Sequence, residues 1–466
     1  MQMTHMAAAI MSSTIVAPVD VDRWPFRQYL FLFALFVAFY IGFDLADGRP
    51  HNGDTDDLLR AIQVHTLLQT GNWYDLSLPM VRDPEAYVSP WSRLVDLPYA
   101  LIALALRAFT GQQQALNIAF KLWPPLMACI FSLLSVSILR RIAARKAELP
   151  LPVLLGTVVL MPYAIWEFSP GRIDHHNVQM LLLLAIGYGL ARFDAKGGLA
   201  VGIAVPMATA VGLETLPVLA VALLAVAAAW CFEMRGSARV LQATGIACAS
   251  TTLLLVIMLI APSSYFTLHN DAFSAPYVEA LVGFGLLAAL LPRCLPSDST
   301  MLARCGIFTC FGMALVAGIF LQYPALRQGP FPMIDALAHR YWFDRIHQEM
   351  NALIFFHTGD WTAIELLAAM VSIAIFSARP ALLRLRSGEP GMAALCAFAY
   401  AALAMTFLSN RFLRLTVAIV PLLLPLAVGE VFGMLRGSRT MVGRLAKVAG
   451  ASLAAAAVIG LLAIYV

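Results

Sequence analysis

The sequence predicts an all-α, polytopic membrane protein with about thirteen spanning helices, and three features lead to that class. Of its 466 residues, 61% are hydrophobic and 12% are charged, roughly half the charged share of a soluble globular domain. The apolar residues gather into stretches that reach or approach the roughly 17–25 residues of a bilayer-crossing helix. Lys and Arg fall in the short polar gaps between those stretches, the arrangement that sets orientation in a membrane.

In chain order, residues 1–28 read as a cytoplasmic N-terminal segment. Its mildly apolar run has no basic region ahead of it and is followed by Arg23 and Arg27, so it does not read as a cleaved secretory signal. Residues 29–466 read as a single transmembrane domain. Its apolar segments lie near 29–45, 117–139, 150–169, 177–192, 198–213, 216–233, 239–261, 278–292, 306–324, 362–378, 392–408, 413–434 and 447–465. The stretch 94–109 is also apolar, but it is short and carries Asp96, Pro98 and Arg107. A helix lying at, or dipping into, the outer surface is expected there.

Charge placement agrees with that choice. With the N-terminus inside and 94–109 not crossing, the C-terminus falls outside. The inner loops then collect most of the chain's 31 Lys and Arg residues, Arg140, Arg141, Arg192, Lys196, Arg239 and Arg384 among them. Most of the 27 acids face outward. If 94–109 crossed, every later loop would invert. Two outer loops are long, about 46–116 and 325–361, and loops of that length in a compact helical protein usually carry function. No soluble domain is expected after the last span.

Several function classes drop out. The net charge of +4 comes from orienting loop residues and is not a signal for nucleic acid. The 7 cysteines (Cys129, Cys231, Cys248, Cys294, Cys305, Cys310 and Cys396) form no CxxC pair and none lies in an outer loop. A disulfide framework and a structural zinc site are therefore not expected.

The chemistry concentrates in the outer loops. Gly171-Arg172-Ile173-Asp174-His175-His176-Asn177 sets an acid and two imidazoles between strongly apolar stretches, and such groups are costly near lipid unless they serve a function. A second acidic cluster, Asp54-Thr55-Asp56-Asp57, opens a short amphipathic helix, 56–71, that closes on a glycine cap at Gly71. The plain structural reading is that Thr55 or Asp56 caps this helix while Asp56 pairs with Arg60 at i,i+4. Three carboxylates in four residues exceed a cap's needs, and a divalent cation relieves their repulsion. Asp174 and His176 offer a carboxylate oxygen and an imidazole nitrogen, a set that suits Mn²⁺ or Mg²⁺; the alternative is a polar turn with Asp174 as N-cap.

Later in the chain, Trp342 and Phe343 read as interface anchors. Glu349 lies where its loop could fold back over the bundle and add an outer carboxylate to the metal shell. Arg411 and Arg414 stand at the outer mouth of a span, suited either to clamping phosphate or to snorkelling. Glu214 occupies a tight outer turn, as a group supporting the metal ligands or as a simple loop acid.

This order of motifs resembles the GT-C superfamily of integral-membrane glycosyltransferases, and most closely the catalytic subunit of oligosaccharyltransferases. That family has about thirteen spans and an inner N-terminus. Its first outer loop carries an acidic motif, its second a Gly-x-x-Asp-x-His type motif, its late outer loop a Glu, and a basic residue precedes a late span. The resemblance implies a GT-C-like bundle. By it, Asp56 corresponds to the first-loop acid that binds the metal and orients the acceptor, favoured over Asp54 and Asp57 by its spacing from Gly71, with Asp57 as a neighbouring catalytic acid. Asp174 and His176 correspond to the second-loop metal ligands. Glu349 corresponds to the late-loop Glu, although His347 and Gln348 depart from the family's Ser-Glu pattern. Arg411 corresponds to the arginine on the donor's phosphate, with Arg414 as the alternative, and Trp91 and Arg93 fall where the first loop lines the site. The family's Trp-Trp-Asp acceptor motif belongs to a soluble C-terminal domain, and the sequence contains no Trp-Trp-Asp.

The expected activity is metal-assisted sugar transfer, with Mn²⁺ or Mg²⁺, from a polyprenyl-phosphate or polyprenyl-diphosphate donor. The acceptor would be an envelope glycolipid, polysaccharide or protein at the periplasmic face of a bacterial inner membrane. Two rivals stand beside it. A transporter or flippase for lipid-linked sugars would carry ionisable residues in mid-span and broken helices in paired halves. A metal-independent polysaccharide polymerase or ligase would dispense with the cation.

Overall fold

The computed structural model describes residues 26–46, 54–82, 85–143, 149–296, 298–329, 332, 334–341 and 343–436. The expected last span at 447–465, almost all of the N-terminal segment and the anchor Trp342 lie outside the described residues.

The chain is a multi-pass helical membrane protein. Its helices are α1 (Phe26–Ala46), α2 (Thr55–Thr70), α3 (Arg93–Thr110), α4 (Gln112–Ile142), α5 (Leu151–Val159), α6 (Pro162–Trp166), α7 (His176–Arg192), α8 (Ala195–Val211) and α9 (Leu216–Cys231). They continue as α10 (Ser237–Leu259), α11 (Ala275–Cys294), α12 (Met301–Gln322), α13 (Ala336–Tyr341), α14 (Ile354–Thr358), α15 (Trp361–Arg386), α16 (Pro390–Leu408), α17 (Leu413–Ile419) and α18 (Leu424–Arg436). A small antiparallel hairpin, Ser77–Leu78 with Tyr87–Val88, decorates the first loop. Among the described residues, 9 helical segments are long and apolar enough to cross a membrane, while α7 and α8, at 17 residues each, are shorter.

Apolar residues on all sides suit helices that meet protein on one face and lipid on the other. On α1 the residues Tyr29, Phe33, Val37 and Ile41, spaced by four, are buried, whereas Phe31, Phe39 and Phe43 are exposed. The stretch 94–109 forms α3, capped by the Ser92 hydroxyl. Its buried face presents Val95, Asp96, Tyr99 and Ala103 to the protein, and Leu101, Leu104 and Phe109 point away. It is not among the segments apolar enough to span.

Two expected continuous spans are interrupted. The stretch 150–169 divides into α5 and α6, because Pro162 lacks an amide hydrogen and drives the preceding Met161 out of helical geometry (φ −112°, ψ 23°). The stretch 413–434 divides into α17, a 3₁₀ turn at Val420–Leu423 containing Pro421, and α18.

Small residues let α7, α8, α10 and α11 approach along a glycine seam, as in other membrane bundles. A β-carbon added at Gly202 of α8 would lie 2.4 Å from the Thr244 carbonyl oxygen, and one at Gly245 of α10 would lie 2.5 Å from that of Gly285. Gly202→Val and Gly245→Val are each expected to cost about 1–3 kcal/mol by overpacking, seen as a lower Tm in detergent. Gly306→Ala and Gly312→Ala on α12, where the added carbon meets nothing within 4 Å, should leave it unchanged; identical behaviour of the two pairs would remove the seam as a packing determinant.

Candidate active site

Segments far apart in sequence meet at one end of the bundle, and the acids that open α2 begin the assembly. Asp54, in extended geometry, caps the helix: its Oδ1 accepts from the amides of Asp56 (3.0 Å) and Asp57 (3.1 Å), while Asp57 Oδ2 accepts from the Asp54 amide (3.0 Å). This reciprocal cap replaces the expected cap by Thr55 or Asp56. Gly71 closes the helix in the left-handed region (φ 69°), as expected. Arg60 does not pair with Asp56. It is fully buried against Asp96 (3.0 Å), which also accepts from Gln63 (2.6 Å) and Arg93 (3.0 Å). This knot binds α2 to α3.

Asp57 reaches across to the segment before α7. Its Oδ1 accepts from the amides of Ile173 (2.6 Å) and Asp174 (2.8 Å), and Oδ2 binds Arg172 Nη1 at 2.5 Å. Burial pushes its pKa up to about 6 against the pull of Arg172 and the backbone donors. Gly171 makes the turn possible with φ 92°, and Asn177 braces it by donating to the carbonyls of Glu167 and Arg172. Arg172 also pairs with Asp54 (3.1 Å) and Glu167 (2.9 Å) and lies 4.2 Å from the Trp166 ring centre. Glu167, itself buried, extends its other oxygen to Arg414 at 2.9 Å.

The next cluster is Asp174, His175 and His176, whose ligand atoms all lie within 4.8 Å of one another. His175 is held at both ring nitrogens, by Asp174 Oδ1 at 2.5 Å and Glu214 Oε1 at 3.0 Å. Burial alone would discharge it, but Asp174 and Glu214 outweigh burial and push its pKa up to about 10. Burial likewise opposes the charge of Asp174, and the cationic His175 overcomes it, holding the carboxyl well below its usual range.

His176 is different. Gln179 donates through Nε2 to Glu214 (2.7 Å), and Oε1 of the same Gln179 lies 3.0 Å from His176 Nδ1. Nδ1 then carries the proton, and Nε2 of the neutral ring presents a lone pair. It faces Asp174 Oδ2 at 3.2 Å, a buried oxygen that receives no hydrogen bond. A carboxylate oxygen and an imidazole nitrogen this close have the donor chemistry of a shared cation. The Gln179–Glu214 clasp needs Gly212 between its partners, since a β-carbon there would stand 2.5 Å from Gln179 Nε2 and 2.6 Å from Glu214 Oε2.

Asp56 lies in electrostatic reach of Asp174, outside the group of Asp174, His175 and His176 whose ligand atoms lie within 4.8 Å of one another. No hydrogen bond or ion pair to its carboxylate occurs among the described residues. Burial, followed by the charges of Asp174 and Asp54, raises its pKa, and Arg411 is near enough to counter part of that. An oxygen-rich set with one imidazole fits Mn²⁺ or Mg²⁺, and a carboxylate–imidazole pair also accepts Zn²⁺. His175 is the nearby imidazole with no nitrogen to spare.

The late loop folds onto the start of α17. Glu349 pairs with Arg411 at 2.7 Å, Gln348 accepts from Arg414 at 3.2 Å, and the Asn410 amide donates to the Met350 carbonyl at 2.8 Å. Trp91 lies with its ring centre 6.0 Å from that of His175 and has Arg60 over its other neighbourhood at 4.7 Å. Arg93, expected to line the site, directs its guanidinium into the first loop, toward Asp96 and the carbonyls of Gln63, Trp73 and Asp75. Glu214 supports His175 and Gln179 from a 3₁₀ turn at Leu213–Thr215. Sequence reasoning did not assign roles to Arg172, His175, Gln179 or Glu167. Glu167 carried a signal, being an acid within the otherwise apolar stretch 150–169.

Solved structures share this fold. The archaeal oligosaccharyltransferase AglB from Archaeoglobus fulgidus, in complex with an inhibitory peptide and a dolichol-phosphate, matches with a TM-score of 0.63 at 14% identity, over 94% of this chain and 54% of that one. The oligosaccharyltransferase of the same organism in complex with Zn and sulfate matches with a TM-score of 0.55 at 15% identity, over 92% and 51%. The form tethered to an acceptor peptide with an NVT sequon matches with a TM-score of 0.58 at 15% identity, over 95% and 54%. The chain thus spans about half the length of the structures it matches. No protein-family model and no curated protein sequence matches it. The resemblance to the GT-C oligosaccharyltransferases holds at the level of fold.

The two neighbouring acids have opposite expected stability effects. Asp57→Ala removes the partner of a buried arginine and of two amides, and should destabilise by about 3–5 kcal/mol. Asp56→Asn relieves repulsion without breaking a bond and should hold or raise Tm when no divalent ion is present. A fall in both variants would place Asp56 in the scaffold.

Proposed function

We propose, for a membrane chain that carries the fold of about half of an archaeal oligosaccharyltransferase, that it is a glycosyltransferase. It moves a sugar from a polyprenyl-phosphate or polyprenyl-diphosphate donor to an envelope glycolipid, polysaccharide or protein, at the periplasmic face of a bacterial inner membrane. The observation that carries this reading is the buried pair Asp174 Oδ2 and His176 Nε2, 3.2 Å apart, with Asp56, which has no partner among the described residues, in electrostatic reach of Asp174 and Arg411. AglB bound to a dolichol-phosphate and the related structure with Zn and sulfate support the donor class and the cation.

The residues divide the work. Arg411 and Arg414, now held by Glu349 and Glu167, bind the donor's phosphate and stabilise the charge that grows as the bond from the anomeric carbon to phosphate oxygen breaks. Asp174, His176 and Asp56 would hold Mn²⁺ or Mg²⁺, which as a Lewis acid neutralises the departing phosphate. Asp56 orients the acceptor and takes its proton as the new bond forms on the opposite face of the sugar, giving inversion. Asp57, with its oxygens filled by backbone and Arg172 donors, sets the distance between the first-loop acid and the ligand turn. His175 holds Asp174 in position, and Glu349 keeps the late loop over the arginines.

In an assay with a lipid-linked sugar and Mn²⁺, Asp56→Ala and Asp174→Ala should each lower transfer by roughly 100-fold or more. Wild-type rates in both variants would eliminate the centre. EDTA should abolish transfer and Mn²⁺ restore it; undiminished activity in EDTA would favour the metal-independent polymerase or ligase.

A further inference from the structure

The end of the bundle opposite the candidate active site holds a cavity of its own. From the turn that carries Glu214, α9 runs for 16 residues, about 24 Å at the helical rise, to Trp230 and Cys231. There a space of about 520 Å³ opens between the end of α9 and the first turns of α10 and α12, lined by Trp230, Glu233, Ser237, Ala238, Arg239 and Arg304 among others. Its polar wall is mostly cationic. The Arg304 side chain, 13% exposed, donates to the carbonyls of Ser299 (3.2 Å) and Trp230 (3.4 Å) and lies 5.6 Å from the Trp230 ring centre, with Glu233 3.9 Å away. Arg239 is exposed and has no side-chain partner among the described residues, and the adjoining turn adds Arg235, also without one. The Ala238 amide, at the positive end of α10, finds no acceptor among the described residues, whereas those of Ser237, Arg239 and Val240 do. Apolar surface adjoins this wall: Phe232 is 55% exposed, Leu302 is 77% exposed, and Ile319 is the one buried residue of α12.

We propose that this cavity binds the headgroup of one anionic phospholipid. Arg239 and Arg304 hold its phosphate, the Ala238 amide adds a donor, and its acyl chains lie against Phe232 and Leu302. The inference stands apart from the transfer reaction. Basic pockets between spanning helices are the usual seats of anionic headgroups, and the guanidinium fork matches phosphate oxygens. Two arginines line the space against the single carboxylate of Glu233, so the balance favours an anion. A snorkelling arginine keeps its head in water; Arg304 is instead folded back over Trp230. The volume lies within the roughly 300–1,000 Å³ of small-molecule sites, room for a glycerol as well as a phosphate. A free phosphate offers the same charge but leaves the adjoining apolar surface unused, which favours the lipid.

The test is native mass spectrometry of the full chain released from nanodiscs of equal phosphatidylglycerol and phosphatidylcholine. Wild type should retain one phosphatidylglycerol in preference to phosphatidylcholine, and Arg239→Ala should lower that retention roughly tenfold, the scale of one charge-assisted hydrogen bond. Arg239 has no protein partner to lose, so the fold is preserved. Lys196→Ala, which removes an exposed cation from the start of α8 at the same end of the bundle, should leave retention unchanged. Equal retention of the two lipids, or an equal loss in Lys196→Ala, would overturn the site and leave ordinary boundary lipid held by diffuse charge. A large excess of inorganic phosphate should not displace the lipid; full displacement would assign the cavity to a soluble anion and overturn the lipid.

Discussion

One buried carboxylate, Asp57, sets the geometry on which the candidate active site depends, because it bridges two polar segments that the sequence separates by more than a hundred residues. One of its oxygens accepts from two successive amides of the turn before α7, and the other holds Arg172 and the cap of α2. A carboxylate with several donors aimed at it is a rigid joint. The joint fixes the first-loop acids relative to Asp174 and His176. From Arg172 the ion pairs continue through Glu167 to Arg414, so the charged end of the bundle is one connected network.

Within that network the unmet valences are informative. Most acids are answered: Asp54 and Asp57 by Arg172, Glu167 by two arginines, Asp96 by Arg60 and Arg93, Glu214 by His175 and Gln179, and Glu349 by Arg411. Among the described residues, Asp56 and one oxygen of Asp174 are the exceptions, and the latter stands beside a neutral imidazole whose own proton is committed elsewhere. Among the described residues of this network these few keep no protein partner, and natural proteins accept local electrostatic strain in such places when a function needs it.

Much of this was legible in the sequence, and the limits have physical reasons. Apolar stretch length located the helices, and the charges and proline within 94–109 set it apart from the segments apolar enough to span. Prolines broke 150–169 and 413–434 into pieces, an effect that hydropathy averages away. The two polar clusters announced themselves because ionisable groups are costly near lipid. Their internal division of labour did not. Which of Asp54, Asp56 and Asp57 caps, which bridges and which stays free depends on the position of Arg172, a tertiary fact. His175 and His176 are adjacent and chemically identical in sequence, yet Glu214 and Gln179 give one a second carboxylate and the other a fixed tautomer. Arg60 looked like an i,i+4 partner for Asp56 until the buried Asp96, far along the chain, claimed it.

The bare backbone at Gly212 ties the tuning of the imidazole to the packing of the bundle. The amide of Gln179 and the carboxylate of Glu214 close over that residue with no room for a methyl group, and their contact dictates which nitrogen of His176 is left open. The identity of the open nitrogen is thus specified by a steric vacancy beneath the Gln179–Glu214 contact. Selection on a residue with no side chain would, in this place, be selection on proton location.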